Sequence, residues 1–402
     1  MRPIRETVSI DEARALLVQH TAPIDRVERA ATAGAAGRVL AEDVASPVDV
    51  PPFDRAAMDG YAVIADDTFG AGRHEPRVLR CLETVYTGDL PTRALARGEC
   101  MEIATGAPIP HGATAVVMVE ETEKASATTV RVFTPVYPGQ HVGRRGADIT
   151  AGDTILRKGM IINPSRIGAL AAAGILQIPV FAKPRVAIVS TGNEIVEPGQ
   201  PLAAGQIYDI NRFTLSAITN AHGGVALDRG TAPDSLTDLV AAIERMQDAD
   251  VIVFSGGSSV GERDLILDAL QEAGEVIFHG VAVKPGKPTA FGRVGGIPVL
   301  GMPGYPTSCL SNGYILLVPV LRRIARLPEY QPHSVRVPLA RRVVSTTGRH
   351  QFYTVRVEDG AAMPAFKASG DITSMAHADG YIEIPAQTDL VEAGEIVDVK
   401  LF

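Results

Sequence analysis

The hydrophobic pattern opens on Ser9-Ile10-Asp11-Glu12, where the serine hydroxyl and the glutamate can satisfy the first free amides of a helix. Ala13, Leu16 and Leu17 then supply an apolar stripe, so a helix through about His20 is predicted. From Val27 to Pro138 the pattern breaks into short apolar bursts, such as 115–119 and 130–133, interrupted by Gly, Pro and Thr. This predicts a β-rich segment of short strands and long turns. A further helix is expected from about Asn163-Pro164-Ser165 to Gly174.

Beyond Lys183-Pro184 the runs become continuous. Val186-Ala-Ile-Val-Ser190 and Asp250-Val-Ile-Val-Phe254 predict buried strands, as do residues 276–278 and 297–300. Helices are expected near 211–221, 235–247 and 265–273, with a long one over 307–326. Strands alternating with helices predict a parallel sheet covered on both faces. Past Leu327-Pro328, residues 334–337, 351–357, 381–384 and 395–401 alternate again, and predict a small all-β terminal domain, a barrel or a sandwich. The expected organisation is therefore multidomain, α/β and β. It comprises an N-terminal and linker subdomain (1–50 plus 139–183), a β-rich arm (51–138), a central α/β domain (184–327) and a C-terminal β-barrel-like domain (328–402).

A chain of 402 residues exceeds one ordinary core. Its net charge of −8 carries no basic block, which argues against phosphate-neutralising nucleic-acid binding. Cys81, Cys100 and Cys309 lie far apart without a C-x-x-C pair, so neither a disulfide framework nor a thiolate zinc site is expected. The N-terminus lacks the apolar core of a signal peptide, and no apolar run is long enough to span a membrane. A cytoplasmic protein follows as the expectation.

Ligands of parallel α/β sheets collect beyond the carboxyl ends of the strands. Three polar, glycine-bearing loops occupy such places: 191–194, 255–264 and 301–306. Thr191 opens the first. Ser255, Gly256, Gly257 and Ser258 begin the second, which can present amides and hydroxyls to a phosphate. Asp264, near the start of the following helix, is either an N-cap or a metal or ligand contact. Lys284-Pro-Gly-Lys-Pro288 holds two ammonium groups on a loop that Pro and Gly keep out of a helix, which suits an oxyanion; the alternative is a solvated turn between strands. Asp59, before Gly60, reads as a turn residue, and Asp148 as the partner of the adjacent arginines. Gly257-Ser-Ser-Val-Gly261 matches the hydrolase elbow, but within a Gly/Ser-rich loop chance accounts for it. Cys309 reads as a packing residue. Oxygen ligands in polar loops make Mg²⁺ the expected metal.

Taken in order, seven strings resemble the molybdopterin molybdenumtransferase family, comprising the bacterial MoeA proteins and the matching domain of gephyrin. They are Pro52-Phe-Asp-Arg-Ala-Ala-Met-Asp-Gly-Tyr-Ala-Val63, Thr105-Gly-Ala-Pro-Ile-Pro110, Arg145-Gly-Ala-Asp-Ile149, Ser190-Thr-Gly-Asn-Glu194, Ser255-Gly-Gly-Ser-Ser-Val-Gly-Glu-Arg-Asp264, Lys284-Pro-Gly-Lys-Pro288 and Gly301-Met-Pro-Gly-Tyr-Pro306.

The resemblance implies an α/β domain similar to pterin adenylyltransferases. It also implies an elongated homodimer with the active site near the subunit interface, where a pterin adenylyltransferase and molybdoenzymes are possible partners. The implied reaction inserts molybdenum from molybdate, or tungsten from tungstate, into adenylylated molybdopterin with release of AMP. Asp59, Thr105 and Asp148 match family positions on the arm side. Glu194, Asp234, Asp264, Lys284, Lys287, Pro303 and Pro306 match those of the α/β domain. In the mechanism built on this, Lys284 and Lys287 attract oxyanions, while Asp59, Asp148, Glu194 and Asp264 hold Mg²⁺ or position water. Tyr305 stands where many family members carry asparagine, which bears on the choice between molybdate and tungstate. Two other readings are a pterin adenylyltransferase, against which the extra domains weigh, and a non-catalytic scaffold, against which the intact lysines and acids weigh.

Overall fold

The computed structural model describes residues 6–257 and 264–402. They fall in two compact units: one spans Arg29–Ala36 and Leu40–Pro179, the other Gly37–Val39, Val180–Phe402 and the N-terminal residues through Glu28. Helix α1 (Ile10–Gln19) starts where the cap predicts, with the Glu12 amide donating to Ser9 Oγ at 3.1 Å, and it buries Ile10, Ala13 and Leu17.

The apolar bursts of the Leu40–Pro179 unit become a six-stranded sheet of β1 (Gly60–Val63), β2 (Arg77–Val85), β3 (Glu99–Ile103), β4 (Ala115–Met118), β5 (Thr122–Ser126) and β6 (Thr129–Val132), in the order β4-β1-β3-β2-β6-β5. Alternate residues feed two cores: Tyr61, Val63 and Val117 point one way, and Ala62, Met101 and Val116 the other. At the start of β1 the chains run so close that a Cβ on Gly60 would lie 1.9 Å from the Val117 carbonyl oxygen. Gly60→Ala is therefore expected to cost about 2–3 kcal/mol in urea unfolding, as overpacked sites do. A loss below about 0.5 kcal/mol, within the range of neutral surface changes, would show that the strands part freely there. Helix α2 (Pro164–Ala172) is capped by Asn163, whose Oδ1 accepts the Arg166 amide at 2.9 Å.

The larger unit contains β7 (Arg185–Thr191), α3 (Asn211–Ala221), β8 (Val225–Ala232), α4 (Leu236–Arg245), β9 (Val251–Ser255), α5 (Leu265–Ala273), β10 (Glu275–His279), β11 (Val283–Lys284), β12 (Ala290–Val294) and β13 (Ile297–Met302). The sheet order is β8-β7-β9-β13-β12-β10. Here the sequence reading needs correction: the first four strands are parallel, but β12 runs antiparallel to both of its neighbours, β13 and β10. Strands β8 and β12 were not anticipated, because β8 is a largely exposed edge carrying Asp228 and Arg229, and β12 is a five-residue run broken by Gly292 and Arg293. Both faces are covered as expected. Val251 and Val253 join a core with α1 and α3, while Ile252 and Phe254 join one with α4 and α5.

The helix predicted over 307–326 is interrupted. It divides into α6 (Pro306–Asn312), a π-turn (Gly313–Leu317) and α7 (Val318–Ile324). Pro319 has no amide to give the Ile315 carbonyl four residues back. Arg14 of α1 supplies that donor instead, with Nε 3.2 Å from Ile315 O.

The C-terminal strands β14 (Ser334–Pro338), β15 (His350–Glu358), β16 (Ala361–Pro364), β17 (Gly380–Ile384) and β18 (Ile396–Leu401) form a sheet ordered β11-β15-β17-β18-β14, with β16 on β15. An isolated bridge from Leu339 to Ala362 links the end of β14 to β16. The segment is not all-β, since α8 (Thr373–Ala376) interrupts it, and its sheet takes in β11 from upstream. Glu383 on β17 receives His350 at 2.9 Å and Lys400 at 2.7 Å, tying three strands together. Burial alone would raise this carboxyl, but the two partners hold it at about 2.

Candidate functional site

Strands β7, β9 and β13 end level with one another, Ser190 paired with Ser255 and Ser255 with Met302. Strand β12 runs the other way, and its first residue, Ala290, pairs with Gly301. The lysine loop leading into β12 thus enters at the sheet edge where the other three loops leave, and this brings together the four segments singled out in the sequence. The backbones of the other three loops touch. The Gly256 amide donates to Met302 O at 3.2 Å, and a Cβ on Gly256, at φ +100°, would meet Thr191 O at 2.4 Å. Thr191 is 3% exposed, and its Oγ1 has no hydrogen-bond partner, a costly arrangement for a buried hydroxyl. Ser255 is buried, its Oγ 3.7 Å from Cys309 Sγ. Burial pushes the Cys309 thiol up to about 12, in keeping with a packing role. Ser258, like most of the rest of its loop, lies outside the described residues.

Glu194 and Asp234 are drawn together at the exposed rim. Burial first, and then the Glu194 charge, push the Asp234 carboxyl above its ordinary value. Asp264 takes the N-cap alternative: Oδ1 accepts the Leu267 amide at 3.1 Å, and Oδ2 pairs with His279 at 2.9 Å. The lysine loop is packed rather than a freely solvated turn. Lys284 Nζ donates to Thr346 Oγ1 at 2.7 Å, Gly286 has φ +106°, and Lys287 O accepts the Val281 amide at 3.0 Å. Pro303 is buried, and Pro306 opens α6 in its first turn. Tyr305 is 66% exposed, so its ring lies on the surface instead of filling the strand-end cleft.

Side chains the sequence did not flag hold these loops. Asn211 Nδ2 donates to Gly304 O at 2.7 Å, and Asn312 Nδ2 to Gly286 O at 2.9 Å. Arg212, 4% exposed, pairs with Asp209 at 2.9 Å and also with Asp228 and Glu197. Burial by itself would depress this guanidinium, but Asp228 and Asp209 hold it above its ordinary value. Asp209 also accepts Ser190 Oγ at 2.9 Å, next to Thr191. The available signal was a polar residue on an otherwise apolar helix face, as at Asn312.

The other unit brings Asp59 and Thr105 together. The Thr105 amide donates to Asp59 Oδ1 at 2.7 Å, and with the Thr105 hydroxyl it lowers this carboxyl. Asp59 is thus more than a turn residue. Asp148 is exposed, its amide bonded to Val50 O at 3.0 Å; Arg145, its expected partner, instead pairs with Asp49 at 2.5 Å. Among the described residues, no three or more His, Cys, Asp or Glu are grouped to hold a metal ion. No helix among them is long and apolar enough to cross a membrane.

Comparison with known proteins covers almost the whole chain. Residues 8–174 match the MoeA N-terminal region (domain I and II), 187–323 a probable molybdopterin binding domain, and 336–402 the MoeA C-terminal region (domain IV). Molybdopterin molybdenumtransferase 2 of Mycobacterium tuberculosis is 37% identical over 376 residues, 91% of this chain and 92% of that one. Molybdopterin molybdenumtransferase of Haemophilus influenzae is 31% identical over 98% of both chains. The crystal structure of the molybdopterin biosynthesis MoeA protein from Pyrococcus horikosii superposes with a TM-score of 0.85 at 41% identity, over 98% of this chain and 99% of that one. With such identity sustained from end to end, the chain belongs to the MoeA family of molybdopterin molybdenumtransferases.

Proposed function

We propose that this chain is a transferase of molybdenum cofactor biosynthesis, inserting the metal of molybdate into adenylylated molybdopterin and releasing AMP. The observation carrying this reading is the meeting of four loops at one sheet edge, two of them glycine-lined around the unpartnered Thr191 hydroxyl and one bearing two lysines. Backbone amides and Thr191 bind the nucleotide phosphates, and Lys284 and Lys287 hold the oxyanion. Asp234, raised by burial and by the Glu194 charge, takes the proton of the water that cleaves the phosphoanhydride, giving AMP and a terminal phosphate. Two dithiolene thiols pass their protons to one molybdate oxide, which leaves as water as two molybdenum–sulfur bonds form.

A Mg²⁺ ion bound mainly through substrate phosphates usually takes one or two carboxylates from the protein, and Glu194, an exposed carboxylate on the first of the loops, would hold it while Asp234 acts on the water. When bound, the ion would neutralise phosphate charge. The protein works as a homodimer in the cytoplasm.

The test is AMP release by the purified protein supplied with adenylylated molybdopterin, Mg²⁺ and molybdate, with tungstate in parallel. Release that depends on the metal oxyanion is expected. Tight binding of the adenylate with no release would move the reading to a scaffold, and formation of the adenylate from ATP and molybdopterin would move it to an adenylyltransferase.

A further inference from the structure

Asn312 closes α6, seven residues beyond Tyr305, and is 0% exposed. Its carboxamide points away from the helix and into the back of the lysine loop. Nδ2 donates to Gly286 O at 2.9 Å and to Thr289 Oγ1 at 2.6 Å, and Thr289 Oγ1 in turn donates to Gly286 O at 2.9 Å. Gly286 lies between the two lysines at φ +106°. A Cβ there would come within 2.5 Å of the Asn312 amide nitrogen. The amide therefore fills the space a side chain on the loop would need, and it fixes the carbonyl at the loop's tightest point. Asn312 Oδ1 has no partner, so the orientation is set by what Nδ2 binds. Turning the amide over would set an oxygen against the Gly286 carbonyl and lose both bonds. The loop's other end is fixed separately, by Lys284 on Thr346 and by pairing of β11 with β15.

We propose that Asn312 is a positioning residue for oxyanion binding: through the Asn312–Gly286–Thr289 triangle it sets the backbone from which Lys284 and Lys287 project. It need touch neither oxyanion nor nucleotide. This rests on the reading of the lysine loop as the oxyanion-binding element. A buried asparagine serving only the fold would affect unfolding and leave the affinity of the folded protein for oxyanion untouched, so affinity is the discriminating readout.

The experiment is titration of the full-length protein with molybdate by calorimetry, alongside the KM for molybdate in AMP release and the thermal midpoint. Asn312→Ala is expected to weaken molybdate binding and raise KM about tenfold, the effect of two lost hydrogen bonds, while kcat changes far less. Thr289→Val, which keeps shape and removes the shared hydroxyl, is expected to weaken binding about threefold. Because both act through one triangle, the double variant should lose less than the product of the single losses. Unchanged affinity in the folded variants, with only a lowered thermal midpoint, overturns the proposal. Strictly multiplicative losses overturn it also. If Asn312→Ala does not fold, Thr289→Val decides by the same two readouts. Wild-type protein that binds molybdate but releases no AMP overturns the transfer reading alone, and weakened binding in the variants would then still support this inference. Wild-type protein that binds no molybdate overturns both.

Discussion

Lys287→Ala is expected to lower molybdate-dependent AMP release by about 10²- to 10³-fold, the loss seen when one preorganised group facing developing or bound negative charge is removed. Lys287 stands in a loop whose backbone is fixed on both sides. Its own carbonyl accepts the Val281 and Thr289 amides at 3.0 and 2.9 Å, and Lys284 before it is held to Thr346. A fixed backbone makes the ammonium a preorganised charge, where a mobile surface lysine would be replaceable by solvent. Stability should change little, by about 0.5 kcal/mol or less, because no core side chain is removed. Lys287→Arg keeps the charge but exchanges a compact ammonium for a planar fork, so partial activity is expected. Steady-state AMP release with saturating adenylate and varied molybdate checks both variants. Retention of more than half the wild-type rate by the alanine variant would remove Lys287 from the oxyanion site.

Elements whose burial pattern repeats along the chain were legible. Helices α3 and α5 (Asn211–Ala221 and Leu265–Ala273) occur at the predicted bounds, and β9 differs from its predicted run by one residue at each end. A strand buried on both faces is a continuous apolar run, and a capped amphipathic helix announces its start. Strand β8 escaped because an exposed edge strand need not be apolar, and the parallel sheet was over-extended because strand direction leaves no mark on hydrophobicity. The break in the 307–326 helix was written in Pro319, but its repair by Arg14 joins residues 301 apart in sequence. At the site, the loops were legible from glycine and lysine placed after apolar runs. Their supports were not: Asn211, Asn312 and Arg212 sit on helices where polar residues usually mark a solvent face, and only packing turns them inward. Asp234 shows the reverse. Its surroundings were undistinctive, yet the fold places it within electrostatic reach of Glu194.

Arg212→Met is expected to destabilise the protein by about 3–5 kcal/mol, because removing one partner of a buried ion pair strands the other. Asp209, at 2% side-chain exposure, would lose the guanidinium 2.9 Å away while keeping only the Ser190 hydroxyl and the Arg212 amide. Asp228 and Glu197, each more than half exposed, would be rehydrated at little cost. The penalty should therefore belong to Asp209, and Asp209→Asn in the Arg212→Met background should recover part of it, since no buried charge would remain. Urea unfolding of the two single variants and the double variant tests this. A cost below about 1 kcal/mol for Arg212→Met, typical of exposed ion pairs, or strict additivity in the double variant would show that the pair is not coupled as the geometry requires. A loss of activity should accompany the loss of stability. Arg212 joins α3 to Glu197, and Asp209 joins it to Ser190, so this one guanidinium fixes both ends of the segment that carries Thr191 and Glu194. Where the double variant regains stability without regaining AMP release, the charge at Arg212 serves the site and not only the fold.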